Sequence, residues 1–142
     1  KKDFTLCDQA KDIVFESIKF HAGKKYELFC CVVMNTHVHL VLKPLETQAQ
    51  RPVPHGIEPS LNSTTFCSLA QITHSIKSYS ANRIQKLLDW YGNVWLDENF
   101  DRIIRDDKEF LLTMDYVIDN PEKAGLVEKP EEYKWLYIAS TI

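Results

Sequence analysis

Four residues of this chain have types and spacings that suit chemistry: His37 and His39, two apart, and Tyr116 and Asn120, four apart. His37-Val38-His39 lies in Asn35-Thr36-His37-Val38-His39-Leu40-Val41-Leu42-Lys43-Pro44, where apolar residues alternate. That alternation predicts a β-strand, whose side chains change face at every residue. Both imidazoles then share one face, while Val38, Leu40 and Leu42 point into a core. Two neutral imidazoles side by side supply half of a divalent-metal site. The same pattern also suits two histidines on a solvated strand face. Tyr116 and Asn120 fall on a predicted helix beginning near Asp107, with Phe110, Leu111, Met114, Val117 and Ile118 as its core face. At about 100° per residue, Tyr116 and Asn120 lie near the opposite side, one turn apart. Pro121 disfavours helical geometry at Asn120, so Asn120 is equally readable as the N-cap of a short segment Pro121–Ala124.

The elements that must position these residues can be read in order. Ala10, Ile13, Val14, Ser17, Ile18 and His21 recur at helical spacing from Asp8 to about Ala22, with Gly23 as a stop. This makes His21 a helix-end residue. Tyr26–Val33 is apolar and β-branched, a strand that pairs with the histidine strand as a hairpin across Met34-Asn35-Thr36. The stretch from Pro44 to about Phe66 holds four of the six prolines and reads as a long surface loop containing His55. Ser68–Leu88 is a second helix with Ser68 as N-cap and an apolar stripe of Leu69, Ile72, Ile76, Tyr79, Ser80, Ile84 and Leu87. It carries Lys77, Arg83 and Lys86 and no acid, which suits a solvated face or phosphate contact. Trp90, Tyr91 and Trp95 follow, able to stack on unpaired bases or to cap the core. Asn99–Arg105, with Phe100, Ile103 and Ile104, suggests a further strand.

The totals bound the answer. A chain of 142 residues with 44% hydrophobic and 26% charged residues suits one domain with a real core. A net charge of −3 gives no global argument for a nucleic-acid partner, so such a partner needs a local basic patch. Cys7, Cys30, Cys31 and Cys67 form no C-x-x-C pair and read as reduced core thiols of a cytoplasmic protein. No apolar run reaches membrane-spanning length and no signal peptide opens the sequence.

Three segments in this order resemble one family: the His-Val-His strand, Val94-Trp95-Leu96…Phe100-Asp101-Arg102-Ile103-Ile104-Arg105, and Tyr116-Val-Ile-Asp-Asn120-Pro121-Glu-Lys-Ala-Gly125-Leu126-Val127. They are similar to the Y1 (HUH) single-strand DNA transposases, IS200/IS605-like, and more closely to the REP-associated tyrosine transposase branch. The resemblance covers roughly residues 8–137. It implies an α+β, ferredoxin-like sandwich: an antiparallel sheet with helices on one face and the catalytic tyrosine on a C-terminal helix. It further implies that His37, His39 and Asn120 bind Mg²⁺ or Mn²⁺ and that Tyr116 is the nucleophile. The substrate would be single-stranded DNA next to a hairpin, and the product a 5′-phosphotyrosine intermediate with a free 3′-OH.

Lys77, Arg83, Lys86, Trp95, Arg102 and Arg105 are the candidate DNA contacts, and Glu109 or Asp115 a candidate local base. A nucleoid-associated protein in the cytoplasm, monomeric or homodimeric, follows from that reading. The chain departs from the family pattern at Met34-Asn35-Thr36, where the family has Met-Pro-Asn, and in the long loop at about 44–67. It also leaves little room for a strand before the first helix; without one, an exposed sheet edge favours dimerisation. A hairpin-DNA-binding protein that has lost catalysis is the alternative. A His-x-His hydrolase is disfavoured, since amidohydrolase-type sites need a barrel of about 250 residues.

Overall fold

The centre of the structure is the strand Tyr26–Val33 (β1), which is buried along nearly its whole length. The coordinates are a computed structural model and describe residues 5–48, 64–66, 68–95 and 103–140. β1 pairs antiparallel with Val38–Pro44 (β2) on one side and with Leu136–Ile138 (β5) on the other, in the order β2-β1-β5. The hairpin between β1 and β2 closes with Met34 N–H donating to His37 O at 2.8 Å. Neither Asn35 nor Thr36 has positive φ, so the turn is not of the I′ or II′ type usual for two-residue loops. Leu6, itself buried, holds the turn from outside by donating its N–H to Asn35 O at 2.7 Å.

Two faces of the sheet are covered, not one. β2 keeps a strict alternation, so Val38, Leu40 and Leu42 share one face while His37, His39 and Val41 share the other. Across the register, Tyr26 faces Pro44, Leu28 faces Leu42 and Cys31 faces Leu40. Tyr26 Oη donates to Ile18 O of the helix Asp8–His21 (α1), which places α1 on that face. Cys30 and Val32, opposite Val41 and His39, belong to the other face. There Phe29, at a bulge between Leu28 and Cys30, meets Phe110 of the helix Asp107–Lys123 (α3), with ring centroids 5.1 Å apart. The unbroken apolar run from Leu28 to Val33 demands this: a strand with no polar face must be roofed on both sides.

The helix Leu69–Leu88 (α2) packs along α1. Its start follows sequence chemistry, with a capping box between Ser68 and Gln71. Ile72, Ile76, Ser80 and Ile84 are buried, while Tyr79 and Leu87 of the expected stripe stay exposed. α3 is capped by Asp106, whose side chain accepts from Glu109 N–H at 2.7 Å. It runs on through Pro121, so Asn120 lies inside the helix and is not the N-cap of a new one. α3 ends in a Schellman motif: Gly125 has φ +75, Leu126 N–H reaches Pro121 O and Gly125 N–H reaches Glu122 O. Leu111, expected in its core face, is exposed.

Other expectations are also revised. The ends of the presumed loop pair with each other, Glu46–Gln48 (β3) with Thr64–Phe66 (β4) in antiparallel register. Residues 103–105 form no strand. His55, Cys67, Phe100 and Arg102 lie outside the described residues. No helix among the described residues is long and apolar enough to cross a membrane. Cys30 and Cys31 are buried and unpaired, and burial pushes both thiols up to about 12, whereas Cys7, expected in the core, is exposed.

Beside the C-terminal strand, the Trp135 indole donates to Asp12 Oδ1 at 2.8 Å and Lys134 lies 3.2 Å from the same oxygen. The indole hydrogen bond, then Lys134, hold the Asp12 carboxyl below its usual value against opposing desolvation. Asp12 therefore contributes stability above about pH 4 that is lost as pH falls through its folded-state value. In Trp135→Phe, carboxyl NMR titration is expected to move Asp12 upward toward the ordinary value. Ile18→Ala, at a fully buried position, is expected to cost about 2–5 kcal/mol in urea unfolding.

Candidate functional site

The face of the sheet under α3 brings the sequence-predicted pair and the tyrosine together. The rings of His37 and His39 lie edge-on with centroids 4.9 Å apart. The ring of His39 meets that of Tyr116 at 5.4 Å, again edge-on. Tyr116 lies 77 positions beyond His39 in sequence, and only the packing of α3 on β1 and β2 joins it to the histidines.

The order of contacts fixes the direction of α3. Phe110 touches Phe29, and six residues later Tyr116 touches His39, whose register partner Val32 is three residues beyond Phe29. α3 therefore runs with β1 and against β2. Two residues back along β2, at about 3.4 Å per residue, lies His37. One turn onward along α3, about 6 Å, lies Asn120. The two steps match, so Asn120 is carried toward the His37 end of β2. Its side chain is half-buried and makes no hydrogen bond among the described residues, which sets aside a capping role for the amide. Pro121 is buried in the same turn. It has no N–H for the carbonyl of Val117, a loss helices ordinarily avoid.

The electrostatics favour neutral imidazole at His39. Burial, and secondarily the neighbouring His37, lower its pKa from the usual value. A neutral ring keeps a lone pair for a cation or a proton. His37 is exposed, with Nδ1 3.1 Å from Thr36 Oγ1. If Nδ1–H donates to that hydroxyl, Nε2 is left with its lone pair outward. The role of Thr36 was not legible in sequence, because only the turn brings the hydroxyl to the ring. Tyr116 is 54% exposed and so open to a large substrate.

The remaining candidates are dispersed. Lys77, Arg83 and Lys86 are on α2, which packs on α1 and so lies in the layer beyond the opposite face of the sheet. Arg83 donates to Tyr79 Oη at 2.7 Å. Trp95 is half-buried, donates to Ser80 Oγ at 3.0 Å and packs on the core, which removes it from the exposed stacking candidates. Tyr91 and Trp90 are the exposed aromatics of that group. Arg105 is exposed just before α3. Glu109, considered as a base, accepts the Arg105 backbone N–H at 3.3 Å and so helps cap the helix. Among the described residues no group of three histidine, cysteine, aspartate or glutamate side chains could hold a metal. Any cation here would rest on the two imidazoles and oxygen ligands such as the Asn120 amide.

Comparisons with protein-family models, with curated proteins and with solved structures each find no match to this chain. Because the Tyr116 hydroxyl has no partner among the described residues, Tyr116→Phe is expected to change unfolding free energy by less than about 0.5 kcal/mol. Val117→Ala, one residue on but buried, is expected to cost more than about 1 kcal/mol by the same measurement.

Proposed function

We propose that the chain cleaves and rejoins single-stranded DNA next to a hairpin, through a covalent bond to Tyr116, as the resemblance to the Y1 (HUH) transposases implies. The observation that supports this best is the meeting of Tyr116 with His39, and of His39 with His37, on the α3 side of the sheet. A phenol beside paired imidazoles is an unusual arrangement for a structural role, since none of the three side chains is needed to fill the core.

In this reading the Tyr116 oxygen attacks the scissile phosphorus. The P–O bond to tyrosine forms, the P–O3′ bond breaks, the phenol loses a proton and the 3′ oxygen gains one. An unperturbed phenol has a pKa of about 10, so it needs help to react near neutrality. His39, held neutral, stands at the ring as an acceptor or ligand. His37 and His39 would hold a divalent cation with the Asn120 amide oxygen as third ligand, and Thr36 would orient His37. Such a cation would supply charge to the phosphate as it becomes pentavalent. Imidazole ligands suit Mn²⁺ better than Mg²⁺, which prefers oxygen. The phosphotyrosine bond conserves the energy of the original diester, so rejoining needs no nucleotide triphosphate. That suits strand transfer over hydrolysis.

A hairpin oligonucleotide with single-stranded flanks, incubated with Mn²⁺ and run on a denaturing gel, is expected to give a covalent protein–DNA adduct. Tyr116→Phe should abolish it. His39→Ala, or a chelator, should slow it by about 10²-fold or more. An adduct that persists in Tyr116→Phe overturns the assignment of the nucleophile. Hairpin binding without any adduct favours the alternative, a DNA-binding protein that has lost catalysis.

A further inference from the structure

The helix α2 ends in a turn that is fixed from several directions. Asp89 caps it in the left-handed region, with φ 52. Trp90 N–H donates to Gln85 O at 3.1 Å, and the Gln85 side-chain amide donates to Gly92 O at 3.1 Å. The Trp90 indole N–H donates to Asn93 O at 3.4 Å. Its ring lies so close to Gly92 that a Cβ there would come within 3.0 Å of it. Trp90 is thus engaged in holding the turn. Tyr91, between these residues, is 91% exposed, and neither its ring nor its hydroxyl has a partner among the described residues. A single exposed ring needs no explanation in itself. What singles out Tyr91 is the place of the turn that carries it.

Contacts along α1 and α2 give that place. Leu6, just before α1, bonds to Asn35 in the hairpin turn, and Gly23, past the end of α1, bonds to Tyr26. α1 therefore runs against β1. Lys25 bonds to Ser75, Phe20 stacks on Tyr79, and Ile13 and Glu16 line a crevice with Arg83, so α2 runs against α1 and with β1. Its last turn thus arrives at the hairpin end, where His37 and His39 lie. The side is fixed as well. Lys11 and Asp12 meet Trp135, next to β5. Ile13, Glu16 and Phe20 lie about 120° round α1 from them, on the opposite flank of its buried stripe. α2 therefore stands on the flank away from β5, over β2. Tyr116 meets His39 on the other face of β2. The outer edge of β2 pairs with no strand among the described residues, so a bound chain can pass round it from one face to the other.

We propose that Tyr91 is a stacking platform for one unpaired base of the strand that Tyr116 attacks, the strand crossing the open edge of β2 between them. A base needs a bare aromatic face and no particular hydrogen-bond pattern to stack, and Tyr91 offers that face. The held turn means that little order has to be gained when the base arrives. A paired base is already stacked on its neighbours, so the platform selects an unpaired one. Trp90 and Trp95 do not share this role, because the turn and Ser80 engage them. The inference rests on the DNA reading of Tyr116, and its test separates the two.

Binding is measured by fluorescence anisotropy in the Tyr116→Phe protein with chelator, using a mixed-sequence unpaired oligonucleotide and copies of it with one abasic site at each position in turn. Tyr91→Ala is expected to weaken binding about tenfold, the size of one base–aromatic stack, and Tyr91→Trp to keep it within about twofold. One abasic position should weaken binding to the parent protein and leave Tyr91→Ala unmoved, since the stack it removes is already gone. In the otherwise wild-type protein, Tyr91→Ala should raise the DNA concentration that half-saturates adduct formation and keep the saturated rate within about twofold. Unchanged affinity in Tyr91→Ala overturns the proposal, as does an equal loss in Tyr91→Trp, or a parent protein that does not bind unpaired DNA. If an adduct forms but Tyr91→Ala changes nothing, the Tyr116 reaction stands and the platform does not. If no adduct forms with any DNA but Tyr91→Ala still loses affinity, the platform stands and the reaction does not.

Discussion

The double burial of β1 is the constraint on which the rest depends. Cys30, Cys31, Val32 and Val33 are wholly removed from solvent, and no β-strand achieves that unless something packs on each face. α1 covers one face and α3 the other. That second packing sets Tyr116 against His39 and carries Asn120 toward His37. The site is thus a by-product of roofing an apolar strand. Each fully buried aliphatic side chain contributes about 1.5–3 kcal/mol, against about 1 kcal/mol for an edge-to-face ring pair. The core, and not the ring contacts of the site, holds α3 in place.

Because the core does the holding, the site residues are free to serve other ends. Tyr116 and His37 are exposed, and His39 is half-buried. None anchors the fold. The partial burial of His39 nonetheless matters: it disfavours the charged ring and keeps a lone pair available. Pro121 within α3 fits the same picture. A helix interrupted at its hydrogen-bond ladder is tolerated there because Pro121 is buried and the Schellman turn at Gly125 completes the end.

The second layer, α1 with α2, has a different electrostatic character. Lys24, Lys25 and Arg83 there meet an aromatic face and hydroxyls, while Lys11 lies 3.8 Å from the Asp8 carboxylate. The overall charge of −3 conceals this, since acids elsewhere in the chain outweigh the local excess.

Local signals in the sequence determined a good deal. The alternation from Val38 to Leu42 put both imidazoles on one face, Ser68 with Gln71 wrote the start of α2, and the buried positions of α1 followed its helical spacing. Where such local rules competed with packing, packing decided. Asn120 before Pro121 read equally as a helix position and as the cap of a new segment, and the helix continues, with Pro121 buried inside it. Leu111 and Tyr79 read as core and are exposed, since periodicity marks a helix face but not how wide a strip its neighbours cover. Trp95 read as either a base-stacking residue or a cap on the core, and Ser80 and the core claim it. Helices were expected on one face of the sheet, although the apolar run Leu28–Val33 already carried the signal for two. Chain order alone could not bring Tyr116 to His39 or set α2 beyond the far face from them. Those are contacts between segments distant in sequence, and only the shared burial of β1 chooses them.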